Sequence, residues 1–298
     1  MLDEKTQRPP KRGIVRRALW ALGIGLGLFF LMNLFFPDLD FSMEDRVGLI
    51  RIEGVIVDAQ STVGELKRFA DNPSVKAIVL RIDSPGGGVV PSQEIHDAVQ
   101  RVRSKSNKTV IASMGTVAAS GGYYIAVATD RIMANSGTLT GSIGVIMEMA
   151  NVEGLLKKIG VEGVVIKSGK FKDVGSPLRK MSDEEQALLQ SVMDDVHQQF
   201  IEAVAEGRGL DVAAVQALAD GRIFTGRQAK ASKLVDELGD LEAAIQLAAD
   251  VAGIEGEPKV LEPRRRFSFR ELIESRISGL FPKLDFNSGV GLKYLMAF

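Results

Sequence analysis

The sequence has no cysteine, two histidines, one tryptophan and three tyrosines in 298 residues. Missing thiols exclude disulfides, a cysteine nucleophile and thiolate metal sites. His96 and His197 are too few for a histidine-rich zinc site, and neither metal nor cofactor is expected. Charge of one sign is also missing: 37 basic against 38 acidic residues give a net charge of -1. That balance predicts no nucleic acid or other polyanion as partner. No tandem repeat and no low-complexity stretch is visible. Any hydrolytic chemistry must therefore be built from serine, lysine and carboxylates.

What is present starts at the N-terminus. Residues Met1 to Arg17 carry Lys5, Arg8, Lys11, Arg12, Arg16 and Arg17 against Asp3 and Glu4. Ala18 to Phe36 is uncharged, and a helix of that length spans roughly 28 Å, close to the hydrocarbon thickness of a bilayer. A cleaved signal peptide shares the basic front and apolar middle. Against it, this run is long, ends in bulky Leu34-Phe35-Phe36-Pro37, and lacks a small-x-small cleavage pattern. The reading is an uncleaved transmembrane helix over 18–36. Basic residues precede it and Asp38, Asp40, Glu44 and Asp45 follow, so residues 1–17 are expected in the cytoplasm and the remainder outside the cell membrane. A linker over 37–46 leads to a domain over 47–254.

Inside that domain strands and helices alternate, which predicts an α/β fold. Strands are expected at Val47–Val57, Val75–Ile82, Val110–Ala112, Arg131–Ala134, Ser142–Ile146 and Val161–Ile166. Helices are expected at Thr62–Asn72, Pro91–Arg103, Gly122–Ala128, Val152–Ile159, Ser182–Glu206 and Leu241–Val251, with shorter ones between Arg208 and Lys233. The tail, 255–298, has Arg264-Arg265-Arg266 ahead of apolar residues at helical spacing. It fits a basic amphipathic helix on a membrane or a helix docked on protein. Its end, Val290 to Phe298, is apolar and mobile in this reading.

The candidate chemistry lies in two stretches. Met114-Gly115 is read as the end of the third strand, after which Ala118-Ala119-Ser120-Gly121-Gly122 places Ser120 on a sharp turn where a helix starts. Helix-initial N–H groups have no intrahelical partners and carry partial positive charge, so they suit a developing oxyanion. An N-cap serine is the plainer interpretation of Ser120 alone. The second strand runs into Asp83-Ser84-Pro85-Gly86-Gly87-Gly88, whose bare backbone could approach a carbonyl closely. The phosphate-loop spacing is absent. A serine nucleophile needs a base, and neither His96 nor His197 is well placed for a triad. Lysine remains, but spacing cannot choose among Lys167, Lys170 and Lys172.

Arg81–Gly88, Ala119–Tyr124 and Thr140–Val145, in that order, closely resemble the signal peptide peptidase A family in its short, single-domain form, within the S49 serine peptidases. The resemblance covers roughly Val47 to Ala252. It implies a Clp protease/crotonase-like fold with repeated β-β-α units. It also implies Ser120 as nucleophile and, as the lysine directly before an aspartate, Lys172 as base, with Lys170 as fallback. Gly87 and Gly121 would hold the oxyanion, Gly86 and Gly88 would line the substrate site, and Ser142 would position the lysine. The family further implies homo-oligomeric rings with serine and lysine from adjacent subunits, and remnant signal peptides as substrates. The apolar end of the tail could itself enter such a groove. Rival readings are a crotonase-like acyl-CoA enzyme, which gives Ser120 no role, and a silent membrane scaffold, which leaves both glycine motifs and Lys172 unexplained.

Overall fold

The computed structural model describes residues 20–27, 44–263 and 293–296. The chain divides into two units, Met1–Glu44 and Asp45–Phe298. In the first, residues 20–27 form helix α1. Among the described residues no helix is long and apolar enough to cross a membrane. The rest of the expected 18–36 span lies outside them, as do residues 1–17, most of the 37–46 linker and the amphipathic stretch after Arg264.

The second unit is built on an eight-stranded sheet. Its strands are β1 (Arg46–Glu53), β2 (Val75–Ser84), β4 (Thr109–Ala119), β5 (Arg131–Ala134), β6 (Leu139–Gly141), β7 (Ile223–Thr225), β8 (Glu237–Leu238) and β9 (Lys259–Leu261). They run β7-β6-β4-β2-β1-β9, with β5 also on β4 and β8 on β5. All pairings are parallel except β6 with β7, so the sheet is mixed. A separate two-stranded sheet joins β3 (Gly86–Gly88) to β10 (Lys293–Leu295).

Parallel strands need cover on both faces, and the sequence supplies it at period two. Ile50, Ile52, Ile78, Leu80, Ile82, Val110, Ala112 and Met114 face one core. That core also takes Leu66 and Phe69 of α2 (Gln60–Asp71), Ile95 and Val99 of α3 (Val89–Ser106), the buried α4 (Gly121–Ala126), and Phe200 and Val204 of α6 (Asp183–Arg208). Val47, Leu49, Ala77, Val79, Ile111 and Met133 face the other, under Ala244, Ala248 and Ala249 of α9 (Leu241–Ala252). Burying each large aliphatic chain contributes about 1.5–3 kcal/mol. The described residues of the unit also form three short helices: α5 (Glu153–Lys158), α7 (Val212–Gln216) and α8 (Gly226–Ala231).

Four expected strands differ. The first stops at Glu53, because Gly54 turns the chain at φ 70°, and Ile56 makes only an isolated bridge to Gly87. The third does not end at Gly115 but reaches Ala119, changing partner from β5 to β6. At that crossing Gly115 makes room for Asp83, whose carboxylate accepts from the Val117 N–H. The fifth lies at Leu139–Gly141 and not at Ser142–Ile146, since Ser142 takes φ 51° and leaves the strand. Val161–Ile166 is no strand: among the described residues it has no strand beside it, and its apolar side chains are exposed.

Candidate active site

Ser120 sits where β4 passes into α4, at φ 53° and ψ -116°. Its N–H donates to Gly141 C=O at 2.8 Å and its C=O accepts from Tyr124 N–H at 2.8 Å, so the backbone is fastened on both sides. Its hydroxyl is wholly buried and, among the described residues, has no hydrogen-bond partner. A positive φ at a non-glycine residue costs about 1–3 kcal/mol, and an unpaired buried hydroxyl about 1–3 kcal/mol more. Two such costs on one serine mark a residue held for chemistry.

The glycine run is pressed against it. A methyl group on Gly121 would lie 3.3 Å from Gly87 N and from Gly86 Cα, and 2.5 Å from the Ser92 hydroxyl. One on Gly86, which has φ 103°, would lie 2.8 Å from Gly121 N. The amides on either side of the serine turn are thus neighbours only because no side chains intervene. Ser84 Oγ accepts from Gly86 N–H at 3.1 Å and donates to Gly54 C=O at 2.6 Å, while Ser92 Oγ donates to Gly88 C=O at 2.8 Å. These two serines fix the loop, yet the sequence reading passed over them, because loop serines carry no distinguishing spacing.

Along Gly86–Gly88 the chain's own end is laid as β10, antiparallel, with Tyr294 opposite Gly87. On its other edge Lys293 exchanges backbone hydrogen bonds with Ile146 at 3.1 and 3.3 Å. Of the apolar end, Lys293–Leu295 therefore lies in the groove as a strand.

The three lysines of the following loop differ. Lys167 donates to Asp173 at 2.5 Å and to Lys170 C=O at 2.9 Å. Lys170 pairs with Glu184 and lies over the Phe171 ring. Lys172 is exposed, and among the described residues its ammonium has no partner. Arg179 binds Asp173 and Glu185 together, tying the loop to the start of α6. The Arg179 guanidinium, with Lys167, holds the Asp173 carboxyl well below the usual carboxylate range. Arg179 and the Ser182 N–H pull Glu185 down to about 2. Within one chain no hydrogen bond joins Lys172 to Ser120. Ser142 is buried beside β6, with its N–H on Arg222 C=O.

Neither histidine reaches the serine. His96 pairs with Asp97 at 3.2 Å and packs on the Tyr124 ring, and burial pushes it below its usual range. Among the described residues no cluster of three or more metal-ligating side chains occurs.

A serine turn facing a glycine cradle at the end of a mixed α/β sheet defines a serine-type hydrolase of Clp protease-like architecture, and the sequence profile of Clp protease matches residues 49–145. The profile of Peptidase family S49 matches residues 102–255. The Synechocystis sp. protein slr0021, named as a protease, is 46% identical over 72% of this chain and 77% of its own length. An Enterococcus faecium protein named as signal peptide peptidase SppA is 41% identical over 67% of this chain and 62% of its own. The Arabidopsis thaliana protein named Serine protease SPPA, chloroplastic, is 34% identical over 72% and 31%. The chain belongs to peptidase family S49 and is a serine-type peptidase.

Proposed function

We propose that the chain is a membrane-anchored endopeptidase with a Ser120–Lys172 dyad, completed between neighbouring copies, that degrades cleaved signal peptides and other apolar peptides. The observation that carries it is Ser120: a strained residue with a buried, unpaired hydroxyl beside Gly86, Gly87 and Gly121. Ser120 Oγ attacks the scissile carbonyl carbon while its proton passes to neutral Lys172 Nζ. The carbonyl oxygen becomes an oxyanion held by the Gly87 and Gly121 N–H groups. Collapse breaks the C–N bond, and Lys172 returns the proton to the leaving amine. Water, deprotonated by the same amine, then releases the acyl group and restores Ser120. Ser142 positions the lysine.

A lysine serves as base only when water is kept from it. Lys172 is exposed here, and just before its loop Val164 and Ile166 are 82% and 97% exposed. Residues 162–166 make no backbone hydrogen bond among the described residues. Such an apolar, unpaired segment suits a neighbouring copy in a ring, which would cover Lys172 and bring it to that copy's Ser120. The apolar run 18–36 and its basic flank support a single-pass anchor with the catalytic unit outside the cytoplasm. A groove that binds extended backbone on both edges, as it binds β10, suits unfolded apolar peptides.

The test is hydrolysis of a signal-peptide-like substrate by the full chain in detergent. Ser120→Ala and Lys172→Ala are each expected to lose activity by about 10³-fold or more, with Lys170→Ala retaining it. Full activity in Ser120→Ala would overturn the assignment, and loss in Lys170→Ala alone would move the base to that residue.

A further inference from the structure

The last two residues of β2 point to opposite faces of the sheet, and each grips a different half of the site. Ser84 is wholly buried on the α4 side. Its hydroxyl donates to Gly54 C=O at 2.6 Å and accepts from Gly86 N–H at 3.1 Å. Gly54 is held from its other side as well, since its N–H donates to Asp83 C=O at 3.0 Å. Two residues on, Ile56 N–H donates to Gly86 C=O and Gly88 N–H donates to Ile56 C=O. Successive backbone groups of a strand point opposite ways, so the Gly87 N–H is turned away from Ile56 and into the groove. The Ser84 hydroxyl thus joins residues 54–56 to β3 just where both leave the main sheet.

Asp83 acts on β4. Ile82 stands opposite Met114 and Ser84 opposite Ala118, so Gly115, Thr116 and Val117 bulge against Asp83 alone. A bulge bends its strand and re-aims the residues that follow. Asp83 Oδ1 accepts from Val117 N–H at 3.1 Å, and its carboxyl group fills the space that a Gly115 side chain would take. On the carbonyl side, Thr138 Oγ1 donates to Gly115 C=O at 2.8 Å and Thr140 Oγ1 to Ala118 C=O at 2.6 Å. Ser120 and Gly121 follow within three residues of Ala118.

Resting on the peptidase reading, in which Gly87 and Gly121 hold the oxyanion, we propose that Asp83 and Ser84 are positioning residues for these two amides. Ser84 sets the Gly87 donor through Gly54 and Gly86, and Asp83 sets the Gly121 donor through the bulge of β4. Adjacent residues of one strand then fix the spacing between the donors. Ser84→Ala leaves Gly86 N–H and Gly54 C=O without this partner, and Asp83→Ala does the same to Val117 N–H. Misplacing an oxyanion donor is milder than deleting it, so either variant should lose about 10–100-fold in kcat/KM. Asp83→Asn keeps an oxygen at the acceptor position and should stay within about threefold of wild type.

The experiment compares, for the full chain in detergent, the dissociation constants of a labelled peptide aldehyde and of the matching peptide alcohol. Ser120 Oγ bonds to the aldehyde carbon, its proton passes to Lys172, and the former carbonyl oxygen takes the oxyanion position; the alcohol forms no adduct. β10 and the groove act on both peptides alike, so the ratio of the two constants isolates the oxyanion site. The expected result is a much tighter aldehyde in the wild type and no difference in Ser120→Ala. Ser84→Ala and Asp83→Ala should shrink the ratio by about tenfold or more, in step with kcat/KM, and Asp83→Asn should keep it. A wild-type ratio in Ser84→Ala and Asp83→Ala, or equal weakening of both peptides, would overturn the positioning role while the Ser120-dependent difference stands. Asp83→Asn as impaired as Asp83→Ala would overturn the acceptor role of Asp83. Ser84→Ala removes a single oxygen and carries the test if Asp83→Ala does not fold. An aldehyde no tighter than the alcohol on the wild-type chain, or a difference that persists in Ser120→Ala, would overturn the peptidase reading and the inference with it.

Discussion

Ser120 combines a positive φ with a hydroxyl that no group among the described residues satisfies. Removing the hydroxyl removes its desolvation without changing the fold around it. Ser120→Ala is thus expected to be inactive yet unchanged in stability, or more stable by about 1 kcal/mol. Thermal unfolding checks this, and a fall of more than that amount would contradict it. Gly86 is the opposite case, because any side chain meets the Tyr294 carbonyl and the Gly121 amide at φ 103°. Gly86→Ala should lower kcat/KM by about 10²-fold or more by displacing bound backbone. His96 adds a pH dependence. Burial lowers it from 6.5, against Asp97 and Glu206 and with Arg103. Below about pH 6.5 the unfolded chain takes up the proton first. Stability is therefore full above that pH and declines as pH falls towards the folded value. His96→Gln should flatten this part of a denaturation-versus-pH curve, and an unchanged slope would contradict it.

At the scale of elements, helices were the most legible part of the sequence. Ser182 and Glu185 form a reciprocal cap at the start of α6, and α9 spans Leu241–Ala252 where Leu241–Val251 was expected. Caps and 3.6-residue periodicity are local, whereas strands need partners. The extension of β4 past Gly115 depends on Asp83 of β2, and among the described residues the apolar run 161–166 lacks the partner that would make it a strand. The same limit hid the burial of Tyr294, whose hydroxyl donates to the Val196 carbonyl 98 residues away. Among the three loop lysines, spacing alone left the choice open, while among the described residues Lys167 and Lys170 have carboxylate partners and the Lys172 ammonium has none. The Arg179 clamp between Asp173 and Glu185 holds that loop. Arg179→Ala should expose residues 167–180 to limited proteolysis and lower kcat/KM by about tenfold or more through a displaced Lys172. Wild-type protease resistance in this variant would contradict that role.

At the scale of the molecule, the sheet brings Ser120, Gly121 and Gly86–Gly88 together, and β10 occupies the groove they line. Tyr294→Ala should weaken that occupancy and raise kcat/KM for added peptides, and an unchanged kcat/KM would contradict it. Within one chain no hydrogen bond joins Ser120 to Lys172. If each site joins Ser120 of one copy to Lys172 of another, two inactive variants can repair each other at the junctions where both residues are native. The most direct measurement is peptide hydrolysis by Ser120→Ala and Lys172→Ala chains, assembled separately and then as co-folded mixtures. The expected result is no activity in either alone and a substantial fraction of wild-type activity in the mixture. A mixture as inactive as its components would contradict a site shared between copies, and activity in Lys172→Ala alone would contradict the dyad itself.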